Sequence, residues 1–260
     1  MSSGKMRFGQ RLKQLFFPPR CAACEKLLDW TVSDPAIALC KECAKRWESE
    51  KLQTCESCAK SVSSCDCMPE RLTKAKCAGF RKLVYYTSGT RETVQNRVIF
   101  RIKNKPDGRT PAFLARELLC ALEDVLRTNG IDQKDAMLTY IPRAAANKRR
   151  YGTDQAEALA RALSACSGVE CKRLLLRAGR GAEQKHLNAA QRARNVRDAF
   201  VLSPHALLSG KTVILLDDVV TTGASTAAGV RLLRRAGAPK IYVFSVAYDE
   251  IGREMPKSLP

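Results

Sequence analysis

Apolar residues in the second half of the chain follow two alternating spacings. Short uninterrupted runs rich in branched residues, such as residues 213–216, have the length of buried strands rather than helices. Between them, apolar residues recur every three or four positions, which predicts amphipathic helices. The pattern predicts strands at 83–86, 137–141, 213–216 and 241–247, a strand near Phe200, and helices at 91–103, 111–127, 155–165 and up to about Ala236. We therefore predict an α/β fold: a mainly parallel sheet with flanking helices and binding loops at the carboxyl ends of its strands.

The polar residues directly after the 213–216 run are the strongest chemical signal in the chain. Asp217 and Asp218 come where this strand would reach the carboxyl edge of its sheet, and a turn of small and hydroxyl residues then opens a helix. Such a turn binds phosphate through backbone N–H groups, whereas the alternative, an ordinary helix cap, needs only one Ser, Thr, Asp or Asn. Because the two carboxylates would repel a phosphate, we expect them to face vicinal hydroxyls or a divalent cation. The predicted phosphate-binding residues are Thr221, Thr222, Gly223, Ala224, Ser225 and Thr226.

Two basic segments follow other predicted strands. After the 137–141 strand, a loop of small residues carries the cations Arg143, Lys148, Arg149 and Arg150. Such a loop would bind a pyrophosphate through N–H groups and cations together, the alternative being a solvated loop. Residues 177–195 combine two glycines with many cations, which predicts a mobile flap that closes over a site, the alternative being a basic surface helix at 188–196. The flap cations are Arg177, Arg180, Arg192 and Arg194.

Eight of the twelve cysteines lie between residues 21 and 67 in closely spaced pairs. A C-x-x-C pair places two sulfurs on one tight turn, and two such turns complete a tetrahedral Zn²⁺ site. The pairs therefore predict two structural zinc sites, of which the second includes a less usual C-x-C pair. Disulfides and an iron–sulfur cluster are the alternatives, and in the absence of a secretory signal we expect a reducing cytoplasm, which favours metal. The predicted ligands are Cys21, Cys24, Cys40 and Cys43 for the first site and Cys55, Cys58, Cys65 and Cys67 for the second.

The chain carries a formal net charge of +19, which is distributed unevenly. Residues 1–78 contribute +5 and residues 79–260 contribute +14, so a polyanion would be attracted mainly to the larger part. Aromatic residues make up only 6%, which argues against an extended platform for stacking bases. No apolar run approaches the roughly 20 residues of a membrane span, so we do not expect an integral membrane protein. The absence of a G-x-x-x-x-G-K-[ST] motif excludes a P-loop NTPase, and two histidines leave little basis for Ser-His or Cys-His nucleophilic chemistry.

Residues 213–225 resemble the 5-phosphoribosyl-1-pyrophosphate (PRPP) motif of type I phosphoribosyltransferases at every position. With the cysteine pairs, the whole layout resembles the ComF/GntX family, in which a double zinc ribbon precedes a type I phosphoribosyltransferase domain. Residues 150–155 are similar to the family's Arg-Gly-Phe-Asn-Gln, with departures at Thr153 and Asp154, and Lys103 falls in its Lys-aromatic element. A polar stretch at 68–79 predicts a linker, so we place a double zinc ribbon domain at 1–78 and a phosphoribosyltransferase-like domain at 79–260.

The resemblance implies that the protein binds Mg²⁺-PRPP, with Asp217 and Asp218 as catalytic residues that hold the ribose 2- and 3-hydroxyls. It implies a phosphoribosyltransferase with an unknown acceptor that is associated with natural transformation, where single-stranded DNA is handled in the cytoplasm. Other competence or DNA-processing proteins are the partners expected from that role. One alternative is an accessory protein that senses PRPP or a phosphoribosyl nucleotide and binds single-stranded DNA without turnover. A structural protein that keeps the fold with an inactive site is another.

Overall fold

The computed structural model of the protein describes a central sheet, its flanking helices and both cysteine-rich segments. The helices are α1 (Lys41–Lys51), α2 (Glu70–Lys74), α3 (Val94–Asn104), α4 (Arg109–Thr128), α5 (Gln155–Ser167) and α6 (Ala224–Arg235), with 3₁₀ turns at Val62–Ser64 and Gln133–Asp135. The strands are β1 (Gly79–Tyr86), β2 (Ala136–Tyr140), β3 (Leu175–Arg177), β4 (Phe200–Leu202), β5 (Thr212–Val220) and β6 (Ile241–Asp249). The described residues are 18–29, 34–87, 89–104, 107–143, 154–178, 199–204, 208 and 210–249.

Four of the strands form one parallel sheet in the order β1-β6-β5-β2. Its two faces are both covered, which explains the uninterrupted apolar run in β5. Ile214 and Leu216 pack into a first core cluster with α3, α4 and α5, while Val213 and Leu215 pack into a second core cluster with α2 and α6. Because the strands run in the same direction, their carboxyl ends meet at one edge of the sheet. The predicted α/β fold with a mainly parallel sheet is confirmed.

Strand β5 extends four residues beyond its predicted end at Leu216 and therefore contains the aspartate pair. The neighbouring strand β2 ends opposite Leu216, whereas β6 continues alongside β5, with Asp217 opposite Ser245. The ladder to β6 thus satisfies the backbone of an acidic segment that apolar periodicity alone does not identify as a strand. On the other side of β5, the aspartate pair lies just beyond the point where β2 stops.

A separate antiparallel ribbon pairs β3 with β4, with Arg177 opposite Phe200. The two strands of the ribbon lie on either side of the segment 179–198, which lies outside the described part of the chain and contains residues 179–195 of the predicted flap. Leu175 and Phe200 are buried in the second core cluster, which also contains residues of α6. The ribbon therefore connects Arg177, the first flap cation, to the same core as α6.

The cysteine-rich region packs directly against the sheet and its helices. Trp47 of α1 is almost fully buried, and its ring meets Phe113 of α4 edge-on, with 5.4 Å between centroids. Its Nε1 donates to the Glu117 carboxylate at 2.9 Å. The predicted linker at 68–79 contains α2, whose Leu72 is fully buried in the second core cluster. The linker is therefore part of the packed structure.

The predicted domain boundary near residue 78 falls immediately before β1, which begins at Gly79. Both core clusters contain residues from both sides of this boundary, and the division into two domains stays a prediction. Within the described ranges, no helix has both the length and the apolar character needed to cross a membrane.

Candidate functional site

The predicted aspartate pair lies half-buried near the carboxyl end of β5. Both side chains accept from the backbone: Asp217 Oδ1 from the N–H of Asp218 at 2.9 Å, and Asp218 Oδ1 from the N–H of Val219 at 3.0 Å. Burial, together with the adjacent Asp218 carboxylate, raises the pKa of Asp217 well above its usual range, and the charge of Lys103 opposes this shift. Because hydrogen bonds to a carboxylate favour its ionised form, a ligand that donates from hydroxyl groups would suit this pair.

The predicted phosphate-binding turn follows β5 directly and opens α6. Gly223 is the N-cap of this helix and has a φ of +71°, a conformation that favours glycine. Gly223 has no side chain that could cap the helix and compete with a ligand for its first N–H groups. The Thr226 hydroxyl is buried and donates to the Gly223 carbonyl at 3.0 Å, so it stabilises the turn from within. The exposed or half-buried residues of the turn are Thr221, Thr222, Ala224 and Ser225.

The residues on either side of the predicted pyrophosphate loop hydrogen-bond to each other. Asp154 is buried at the N-cap of α5, where its side chain accepts from the N–H of Glu157 at 3.4 Å and from the N–H of Arg143 at 2.8 Å. The Arg143 guanidinium donates to the Gln155 side chain, whose amide nitrogen donates to the Lys103 carbonyl at 3.2 Å. These contacts hold residues 143 and 154 together, just beyond the end of β2.

Two cations in the described part of the chain act on the Asp217 carboxylate. Lys103 lies at the end of α3 with its Nζ 5.3 Å from the ring centroid of Tyr86, near the end of β1. Arg177 donates from Nε to the Pro142 carbonyl at 3.0 Å. Partial desolvation lowers the pKa of Arg177, although the residue is exposed, and the negative charge of Asp217 opposes that shift. Both cations therefore share the electrostatic environment of the aspartate pair.

Of the predicted cations, Arg143 and Arg177 lie near the carboxyl edge of the sheet, as the preceding contacts show. Sequence reasoning treated Asp154 only as a departure from a family pattern and missed its role as a helix cap. The signal was available, because an Asp directly before a predicted helix and three residues before Glu157 has the spacing of a capping pair. The predicted cations outside the described residues are Lys148, Arg149, Arg150, Arg180, Arg192 and Arg194.

Both predicted cysteine sets assemble into compact clusters, named here the first and second cysteine clusters in chain order. In each cluster the four Sγ atoms lie within 4.8 Å of one another. The Sγ atoms of Cys24 and Cys40 are 3.7 Å apart in the first, and those of Cys58 and Cys65 are 3.5 Å apart in the second. None of the twelve cysteines forms a disulfide. Four thiolates are a donor set that suits tetrahedral Zn²⁺, so both clusters fit a structural zinc ion.

Comparisons relate the chain to several known proteins. Residues 112–260 match the model of the phosphoribosyl transferase domain. The chain is 32% identical over 134 residues to the DNA utilization protein YhgH of Salmonella typhimurium, covering 51% of this chain and 58% of the relative. It is 30% identical over 136 residues to competence protein F of Haemophilus influenzae, covering 52% of this chain and 59% of that relative. The chain therefore spans less than two thirds of the length of either relative. An adenine phosphoribosyltransferase structure aligns at 19% identity with a TM-score of 0.36, covering 55% of this chain and 73% of that one.

Proposed function

Because the chain belongs to the phosphoribosyl transferase domain family and is related to proteins of the ComF family, we propose that the carboxyl edge of its sheet binds Mg²⁺-PRPP. One observation carries the proposal. A half-buried aspartate pair near the end of β5 is followed directly by the glycine-containing, uncapped start of α6. The carboxylates suit vicinal hydroxyls and the helix start suits a phosphate, and PRPP carries both groups on one ribose.

Each part of PRPP is assigned to a different set of residues. Asp217 and Asp218 accept hydrogen bonds from the ribose 2- and 3-hydroxyls, while the backbone of residues 221–225 binds the 5-phosphate. The pyrophosphate lies against Arg143 and the other cations of the predicted pyrophosphate loop, and the flap cations, beginning with Arg177, close over it. Mg²⁺ bound with PRPP would neutralise the pyrophosphate oxygens and make pyrophosphate a better leaving group.

The proposed chemistry is displacement of pyrophosphate from the anomeric carbon of the ribose. The bond from this carbon to the pyrophosphate oxygen breaks, and a bond to the acceptor atom forms as the acceptor loses its proton. Positive charge develops on the sugar, and the carboxylates of Asp217 and Asp218 favour it electrostatically. Alignment of the two reactants contributes on the order of several kcal/mol. Measuring pyrophosphate release in a screen of bases, amines and single-stranded DNA would identify the acceptor.

The names of the relatives extend the proposal to DNA uptake. In this role the protein acts in the cytoplasm on incoming single-stranded DNA, beside other competence or DNA-processing proteins. The +14 charge of residues 79–260 supports attraction of the strand.

The same charge favours a second candidate, a sensor of PRPP or a phosphoribosyl nucleotide that binds single-stranded DNA without turnover. This second candidate requires oligonucleotide binding that weakens steeply as salt rises from about 50 mM to about 200 mM. Pyrophosphate release separates the two, because only the transferase produces it. Absence of oligonucleotide binding at about 50 mM salt would exclude a DNA role in either form.

Calorimetry of the zinc-loaded protein with Mg²⁺-PRPP tests the pocket itself. Asp217→Asn combined with Asp218→Asn keeps the size of both side chains but removes two charged acceptors, so we expect the affinity to fall by about 100-fold or more. Folding should be retained, because the change removes repulsion between two neighbouring carboxylates.

The matched control is Asp132→Asn combined with Asp135→Asn. These two exposed aspartates precede β2 and therefore lie at the opposite edge of the sheet, so the same loss of charge there should leave the affinity unchanged. If the double variant Asp217→Asn, Asp218→Asn binds Mg²⁺-PRPP with the wild-type affinity, the proposed pocket is refuted.

A further inference from the structure

Residues 68–74, which we call the connector, run from the second cysteine cluster to the end of α2 and lie against the phosphate-binding turn. Pro69 is the buried N-cap of α2, and Leu72 is fully buried. A Cβ atom placed on Gly223 would lie 3.2 Å from Pro69 Cβ and 3.6 Å from Leu72 Cγ. The connector therefore packs directly against the backbone of the glycine that opens α6.

This packing limits the positions that the turn can occupy. Interiors of proteins are close-packed, so a backbone that contacts a rigid neighbour cannot shift toward it. Pro69 and Leu72 form such a neighbour on one side of Gly223. Helix α2 of the connector also contacts α6, and just after the connector the Lys76 carbonyl accepts from the Arg234 guanidinium at 3.4 Å. The connector thus supports both the turn and the helix that follows it.

The second cysteine cluster in turn fixes the start of the connector. Its last cysteine, Cys67, is separated from Pro69 by a single residue. Lys82 of β1 is only 2% exposed, and its Nζ donates to the carbonyls of Cys65 and Cys67 at 3.4 and 3.1 Å. Within the described part of the chain, no carboxylate pairs with Lys82, and its Nζ donates to these two carbonyls of the second cluster instead. Four thiolates around Zn²⁺ keep a net negative charge, which supplies the counter-charge that a buried lysine needs.

We propose that the second cysteine cluster, when it holds zinc, sets the position of the phosphate-binding turn through the connector. Pro69 and Leu72 are the positioning residues, and Lys82 ties the cluster to β1. The inference rests on the proposed function, because it takes the turn to be the site of the PRPP phosphate. The first cysteine cluster has no such role, since its region packs with α3 and α4 on the face of the sheet opposite α6.

Hydrogen exchange and calorimetry on the zinc-loaded Leu72→Ala variant test this proposal. The variant removes part of the contact with Gly223 but leaves every cysteine and every residue of the turn in place. We expect the amide hydrogens of residues 221–226 to exchange about tenfold faster in the unliganded protein, and the affinity for PRPP to fall about tenfold, with unchanged zinc content. Leu122→Ala is the matched control, because Leu122 is equally buried but lies in α4, and it should change neither quantity.

Equal exchange rates and equal PRPP affinities in the two variants would overturn the proposal. If wild-type protein does not bind PRPP, the proposed function fails, while the exchange rates of the unliganded variants still decide whether the connector positions the turn. If Leu72→Ala does not fold, Leu72→Val and Leu122→Val replace the pair. We again expect faster exchange at residues 221–226 and weaker PRPP binding in Leu72→Val than in Leu122→Val. Equal values in these two variants would overturn the proposal.

Discussion

The two cysteine clusters have the same donor atoms but different neighbours. The region of the first cluster packs against α3 and α4, where Glu25 pairs with Arg101 at 3.3 Å and Asp34 pairs with Arg116 at 2.7 Å. The second cluster lies against β1 and Lys82, and its connector reaches the predicted phosphate-binding turn. The comparison teaches that the neighbours of a metal site, rather than the spacing of its ligands, determine what the site positions.

The largest expected effect is the loss of one cysteine ligand from either cluster. Cys21→Ser and Cys65→Ser each remove a fully buried thiolate. Because zinc binding contributes directly to folding, each should lower the free energy of unfolding by about 3 kcal/mol or more and the zinc content by about one ion per chain. Denaturant unfolding and metal analysis measure these changes.

The same two variants separate the roles of the clusters. Under conditions where both remain folded, Cys65→Ser should weaken PRPP binding more than Cys21→Ser does, because only the second cluster anchors the connector. Calorimetry measures the difference. Equal PRPP affinity in the two variants would mean that the clusters do not differ in this respect.

Replacement of Lys82 should have the next largest effect. Lys82→Met keeps the apolar stem but removes the ammonium, and leaving a buried charged cluster without its partner costs about 3 kcal/mol. We expect a chelator to remove zinc from the second cluster faster in this variant, while release from the first cluster is unchanged. As a control, Lys51→Met removes a half-buried lysine that pairs with Glu117 of α4, and it should not affect release from the second cluster. A wild-type release rate in Lys82→Met would exclude Lys82 as the counter-charge.

The smallest effect is expected at an ion pair in the region of the first cluster. The hydrogen bond from Arg116 lowers the pKa of Asp34, so the folded protein binds a proton there less readily than the unfolded chain does. The pair therefore stabilises the fold above the unfolded pKa of about 3.9, and this contribution is lost as the pH falls through the folded pKa. Asp34→Asn should lower the free energy of unfolding by about 0.5 kcal/mol near neutral pH.

Denaturant unfolding at about pH 7 and at about pH 3 checks this effect. The difference in the free energy of unfolding between Asp34→Asn and wild type should shrink at the lower pH. The wild-type carboxyl then becomes protonated and loses its charge, so it resembles the uncharged asparagine. A difference of the same size at both pH values would show that the Asp34–Arg116 ion pair is not its source.

The sequence predicted those features that neighbouring residues determine. Branched apolar runs located the central strands, and the spacing of the cysteines identified both clusters. The pattern ended β5 too early because the aspartate pair interrupts its apolar run, whereas pairing with β6 carries the strand on to Val220. Local periodicity does not detect the end of a strand when pairing with a neighbouring strand extends it beyond its apolar run.

The sequence patterns did not predict contacts between distant parts of the chain. More than 150 residues separate Pro69 from Gly223, and the polar stretch around Leu72 gave no sign that it packs against the turn that opens α6. Lys82 is a charged residue in a strand, and its burial depends on carbonyls that the second cluster places beside it. Such partners follow from the topology of the whole fold, which local spacing does not specify.

A crystal structure of the zinc-loaded protein with PRPP and Mg²⁺ tests the central claim most directly. We predict that the 5-phosphate lies within hydrogen-bond distance of the backbone N–H groups of residues 221–225, and that the ribose hydroxyls donate to Asp217 and Asp218. PRPP bound elsewhere, with this turn empty, would contradict the assignment of the site.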